Sequence, residues 1–112
     1  MPEEKMELGL VEYLESAHKV GEGPLHGHNF RVEIVVEGEY AGGEMDFHKL
    51  RAIVESEVIK ELDHIDISRI IEVPVVENIA RYVAKKLKPK LPLKSVSVWE
   101  TEDRWCKLVV EK

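Results

Sequence analysis

Three stretches of this 112-residue chain combine residue types and spacings that suit chemistry. His26-Gly27-His28 places two imidazoles at i and i+2. On a strand those positions share a face. The pair therefore suits two ligands of one zinc ion, and it equally suits two strand histidines whose ring nitrogens are otherwise satisfied. The same face continues through Phe30, Val32, Ile34 and Val36, and polar rings that enter an apolar face need partners. His18 stands just before a glycine-rich loop. If that loop is a hairpin, His18 returns beside His26 and His28, and three histidines with open positions describe a catalytic zinc rather than a closed structural one. The alternative is a histidine at the surface end of a strand.

Asp63-His64 is the second stretch. An adjacent carboxylate can orient an imidazole for general acid–base work, although a charged helix terminus accounts for the same dipeptide. Glu22 lies in the loop, four residues before His26. From there it can reach whatever a metal binds, or it is solvated, as glutamates usually are. Glu100 continues the apolar run of Val96 and Val98. A carboxylate there pairs with a Lys or Arg, or accepts from a ligand offering two N–H donors, as a pterin does at its amino group and neighbouring ring nitrogen.

Elements that position these residues follow from periodicity. Residues 6–18 read as a strand of imperfect alternation. Residues 20–25 read as a loop, broken by Gly21, Gly23 and Pro24. Residues 26–38 alternate cleanly and read as a half-buried strand. After a loop at 41–43, Asp46 predicts an N-cap, and Phe47, Leu50, Ile53, Val54, Val58 and Leu62 form the apolar stripe of a helix. Val76, Ile79, Ala80, Val83, Ala84 and Leu87 mark a second helix, ended by Pro89. Strands near 95–101 and 104–111 are joined at Glu102-Asp103. The order ββααββ predicts an α+β architecture, a four-stranded antiparallel sheet with two helices on one face.

Bulk composition narrows the function. The length predicts one domain over 1–112, with a core small enough that oligomerisation adds stability. A net charge of −6 without a basic stretch argues against nucleic-acid binding. The short apolar runs argue against a membrane span. A charged N-terminus without an apolar signal core predicts a cytoplasmic location. Cys106 is the one cysteine, so no internal disulfide forms, in keeping with a reducing compartment. Its strand-like neighbours predict a buried, inert thiol. A charged fraction of 34% with no glutamine predicts a thermophilic source.

Taken together, the segments Ser16-Ala17-His18, Leu25 to Phe30 (LHGHNF), Met45-Asp46-Phe47, Leu62-Asp63-His64, Pro74 with Glu77-Asn78, and Trp99-Glu100-Thr101 are similar to the 6-pyruvoyltetrahydropterin synthase family, which includes the 6-carboxytetrahydropterin synthases. The resemblance covers nearly the whole chain. It implies the tunnelling fold, in which subunit sheets join into a barrel, usually as a hexamer of two stacked trimers with active sites between subunits. It implies zinc on His18, His26 and His28, proton transfer by Asp63 and His64, and a pterin ring anchored by Glu100. Thr101, Val75 and Glu77 fall at implied pterin contacts, although many members have threonine where Val75 stands. The family's catalytic cysteine, four residues before the HGH motif, is replaced here by Glu22. Some members with glutamate at that place resemble lyases that cleave the side chain of a dihydroneopterin-type substrate to 6-hydroxymethyl-7,8-dihydropterin, a folate or methanopterin precursor. The resemblance thus implies a zinc-dependent lyase with Glu22, Asp63 and His64 as catalytic groups. The alternatives are a 6-pyruvoyl- or 6-carboxytetrahydropterin synthase, or a non-catalytic pterin-binding protein.

Overall fold

In the computed structural model, residues 4–18, 26–38 and 46–111 are described, for 17, 18 and 26–28 by their backbone alone. Strands β1 (Met6–His18), β2 (His26–Gly38), β3 (Leu93–Thr101) and β4 (Arg104–Val109) form one antiparallel sheet in the order β1-β2-β3-β4. Between β2 and β3 lie α1 (Phe47–Val54), a π-helical turn (Glu55–Ile59), α2 (Lys60–Leu62), a 3-10 turn (Ile67–Arg69) and α3 (Val76–Leu87). The expected ββααββ order and α+β class hold. The 3-10 turn and the π-helical turn were not anticipated.

Side-chain alternation explains which face the helices cover. Along β2, Phe30, Val32, Ile34 and Val36 are wholly buried, while Arg31 is exposed. On β1, Leu10, Leu14 and Ser16 take the same face. The imperfect alternation of β1 has a cause at Glu12, which shares that parity: its carboxylate reaches Arg51 Nε on α1 at 2.9 Å. Val96 and Val98 complete the buried face on β3. α3 packs over β3 and β4, and α1 with the 3-10 turn lies against β1.

Asp46 caps α1 as expected, its Oδ1 accepting from the Lys49 N–H at 2.7 Å. Val54, Glu55, Ile59 and Lys60 are all right-handed helical, so α1, the π-helical turn and α2 run on continuously. Leu50, Val54, Val58 and Leu62 are buried along this run. Phe47 corrects the expected stripe. It is 54% exposed, because it stands in the first turn, ahead of Leu50, the first residue to enter the core. α3 buries Ile79, Ala80, Val83, Ala84 and Leu87, as its spacing predicts. β3 begins two residues earlier than the pattern suggests, and β4 ends at Val109 rather than near 111. Among the described residues, no helix is long and apolar enough to cross a membrane.

Candidate functional site

Antiparallel pairing of β1 with β2 puts His18 opposite His26, Ala17 opposite Gly27, Ser16 opposite His28 and Glu15 opposite Asn29. The long strand pair thus brings the three histidine positions to one end of the sheet. Directly opposite residues have Cβ atoms about 4.5–5.5 Å apart, and residues two apart on a strand lie about 6.5–7 Å apart. A set of three imidazoles at such backbone positions fits a zinc site with open coordination positions. Among the described residues, no group of three or more His, Cys, Asp or Glu side chains can hold a metal ion. Glu22 falls outside the described residues, as does the rest of the loop.

Asp63-His64 comes to this same end of the sheet. β1 is an edge strand, whose outward backbone groups need partners, and the turn after α2 supplies them at Glu15 and Ser16. The Glu15 N–H donates to Asp63 Oδ1 at 2.8 Å. The His64 N–H donates to the Glu15 carbonyl at 2.7 Å. The Ser16 hydroxyl donates to the Leu62 carbonyl. His64 is left-handed, with φ 59, a conformation that costs a non-glycine residue about 1 kcal/mol or more and persists only where its surroundings hold it. Its ring lies between two carboxylates, with Nδ1 2.8 Å from Asp63 Oδ2 and Nε2 3.0 Å from Glu15 Oε2. Asp63 therefore accepts from both the edge strand and the imidazole, an arrangement that orients a ring for proton transfer. Glu15, absent from the sequence expectations, is the residue missed here. Its exposed parity on β1 reads simply as a solvated strand glutamate.

Glu100 sits at a break in the β3–β4 ladder. Trp99 pairs with Trp105 and Thr101 with Arg104, which leaves Glu100 as the extra residue of a bulge. Bulges re-aim a side chain, and this carboxylate borders a cavity of about 560 Å³ with Tyr13, Asn29, Arg31, Trp99, Thr101 and Glu102. The wall is stiffened by aromatics: Trp99 stacks on Trp105 at 5.7 Å between ring centres, and the Arg31 guanidinium lies 4.6 Å over the Trp99 ring. Arg31 pairs with Trp99 across β2 and β3, and three residues along a strand span about 10 Å, so Glu100 lies toward the same end of the sheet as the backbone at position 28. Thr101 also belongs to the hairpin turn, its hydroxyl donating to Asp103 at 2.7 Å. That bond, with the Asp103 backbone, holds the Asp103 carboxyl below its ordinary range.

Val75 and Glu77 lie apart from this cavity. Val75 is the extended residue before α3, and Glu77 is exposed in its first turn. Asn78 secures that helix start, its side-chain amide donating to the Val73 carbonyl at 2.8 Å. Cys106 is half-buried on β4, opposite Val98 and two strands from β2. Burial pushes its thiol up, and the Glu77 charge adds to this against the opposing Arg81. It is a packed, protonated thiol, as its strand context predicts, though only half-buried.

The sequence profile described as 6-pyruvoyl tetrahydropterin synthase matches residues 9–111. A Pyrococcus furiosus protein named dihydroneopterin monophosphate aldolase is 46% identical over 81 residues, covering 68% of this chain and 70% of its own. An Archaeoglobus fulgidus protein named putative 6-carboxy-5,6,7,8-tetrahydropterin synthase is 36% identical over 113 residues, covering 95% of this chain and 97% of its own. Among solved structures, the 6-pyruvoyl tetrahydropterin synthase of Caenorhabditis elegans superposes with a TM-score of 0.83 at 23% identity, over 96% of this chain and 97% of the other. The four-stranded sheet and its helices are therefore those of the tunnelling fold.

Proposed function

Since this chain belongs to the 6-pyruvoyl tetrahydropterin synthase family of pterin-processing enzymes, we propose that it is a zinc-dependent lyase. Its substrate is 7,8-dihydroneopterin or the monophosphate, and its product is 6-hydroxymethyl-7,8-dihydropterin. The observation that carries the reading is the clasp of Asp63-His64 onto β1 at Glu15–Ser16, level with the paired positions of His28 and next to those of His18 and His26. Similarity to the P. furiosus aldolase supports the choice of a lyase, as does glutamate at position 22 in place of the family's cysteine.

His18, His26 and His28 hold the zinc. When bound there, it supplies the Lewis acidity that lowers the pKa of the substrate's side-chain hydroxyls. Glu100 and Thr101 border the cavity that receives the pterin, with the Glu100 carboxylate accepting two N–H bonds and so fixing the orientation of the ring. Glu22 takes the proton of the second side-chain hydroxyl. The bond between the first and second side-chain carbons then breaks, a two-carbon aldehyde leaves, and the electron pair passes into the ring. His64, oriented by Asp63, returns a proton to the first carbon, which remains as hydroxymethyl. Val75 and Glu77 stand away from the cavity of their own chain. This supports a homo-oligomer, a hexamer of two trimers, in which they complete a neighbour's site. The A. fulgidus relative favours a second reading, a 6-carboxytetrahydropterin synthase.

Product analysis separates the two. Purified, zinc-loaded protein is incubated with dihydroneopterin, its monophosphate and its triphosphate. 6-Hydroxymethyl-7,8-dihydropterin is the expected product, and a 6-carboxy- or 6-pyruvoyl-tetrahydropterin replaces the lyase by a synthase. Binding without product would leave a pterin-binding protein. Zinc content by elemental analysis, lost in His26→Ala and His28→Ala, tests the ligand set.

A further inference from the structure

Three hydrogen bonds dock the Leu62–His64 turn onto β1, and none of them uses the Glu15 side chain. They run from the Glu15 N–H, to the Glu15 carbonyl and from the Ser16 hydroxyl. The Glu15 carboxylate is therefore not needed to hold the turn, yet it stands 3.0 Å from His64 Nε2. Asp63 stands 2.8 Å from Nδ1 on the other side of the ring. Carboxylates only accept, so both contacts are hydrogen bonds when each ring nitrogen carries a proton. Among the described residues, these two are the charged groups in contact with the ring, one from its own turn and one from β1.

We propose that Glu15 is a positioning residue for His64, gripping Nε2 while Asp63 grips Nδ1, so that the imidazole is held in one orientation for proton transfer. An exposed ion pair of this kind contributes little to stability, and both side chains are more than 60% exposed. What the contact controls is the ring. Asp63 alone holds one side of the ring and leaves it free to turn about its outer bond. With Glu15 in place, the rotamer is set before substrate arrives. Glu15 acts through His64 and touches no reacting atom. This inference rests on the reading of His64 as a proton carrier.

Glu15→Ala and Glu15→Gln test it without disturbing the clasp, because the clasp uses Glu15 only through its backbone. Glu15→Ala is expected to lower kcat about 10-fold, part of the 10²–10⁴-fold that a general acid or base contributes, with KM and the thermal midpoint unchanged. Glu15→Gln, which keeps a neutral acceptor, recovers part of that loss. The decisive readout is the ¹⁵N spectrum of His64 at matched pH. In Glu15→Ala, the Nε2 resonance is expected to shift as its acceptor is lost and the ring samples other rotamers, while Nδ1 stays bonded to Asp63. An unchanged ¹⁵N pattern in Glu15→Ala overturns the inference, and so does a kcat loss matched by a fall in thermal midpoint. If the parent protein turns over no dihydropterin, the proposed function falls, while the ¹⁵N comparison still decides what Glu15 does to the ring.

Discussion

α3 and the turn at Leu62–His64 both attach to the sheet, by opposite means. α3 presses Ile79, Ala80, Val83, Ala84 and Leu87 onto β3 and β4, with the aliphatic side chains buried and no hydrogen bond from them to the strands. The turn instead meets β1 through named donors and acceptors, and its His64 side chain is 69% exposed. Apolar burial is strong and non-directional. Hydrogen bonds are weak in net terms and strict in geometry. The first mode stabilises the domain, and the second aims a side chain. Asp63-His64 is found where the second mode rules.

The sharpest break of this comparison is Asp63→Asn. Its Oδ1 can still accept from the Glu15 N–H, but an amide replaces the carboxylate beside the imidazole. Turnover is expected to fall about 10²–10⁴-fold, with folding stability changed by no more than about 1 kcal/mol. Steady-state kinetics and urea unfolding read the two. Ile79→Ala is the mirror image. It should cost about 2–5 kcal/mol of stability by cavity formation, while turnover per folded molecule stays at the parent value; a loss of turnover in the folded fraction would contradict the division.

Glu100→Gln sharpens the comparison at a third place, the bulge. Gln keeps the shape and replaces one acceptor by a donor. Pterin affinity, read by fluorescence titration, should drop by about 1–3 kcal/mol. Unchanged affinity removes Glu100 from the recognition set.

The smallest effect lies on the scaffold side. Tyr82 donates to Glu61, and burial first, then that bond, pushes its phenol from 10.0 up to about 12. The same contact, with Lys86 nearby, holds the Glu61 carboxyl low. A raised folded-state value means that the contribution is fully present below about pH 10, the ordinary range of the phenol. It fades as pH rises through the folded value. Ultraviolet titration of the tyrosines should therefore show a late component, which moves earlier in Glu61→Gln but stays above the ordinary range because the burial remains. Activity at neutral pH should be unaffected.

Much of this was legible along the chain. Period two on β2, the helical stripe of α3, the Asp46 cap and the HGH spacing are local patterns, and each depends on residues a few positions apart. Where such a pattern failed, a specific contact intervened. Glu12 interrupts the stripe of β1 to meet Arg51, thirty-nine residues away, and Phe47 carries the helical spacing but stands ahead of the covered part of its helix.

The residues of Asp63-His64 are plain in the sequence, and so is their fitness for acid–base work. Their partner is not. Glu15 lies forty-eight residues from Asp63, and nothing in its own neighbourhood distinguishes it from a solvated strand glutamate. Nor does local pattern show that Glu100 stands out of the ladder at a bulge, or that His64 takes a left-handed backbone. Hydrophobic periodicity reports which face of an element leaves water, because burial has no preferred direction and sums along the element. The aim of a carboxylate or an imidazole depends instead on single donor–acceptor pairs formed across the fold, and these exist only once the edge of β1 and the turn after α2 have met.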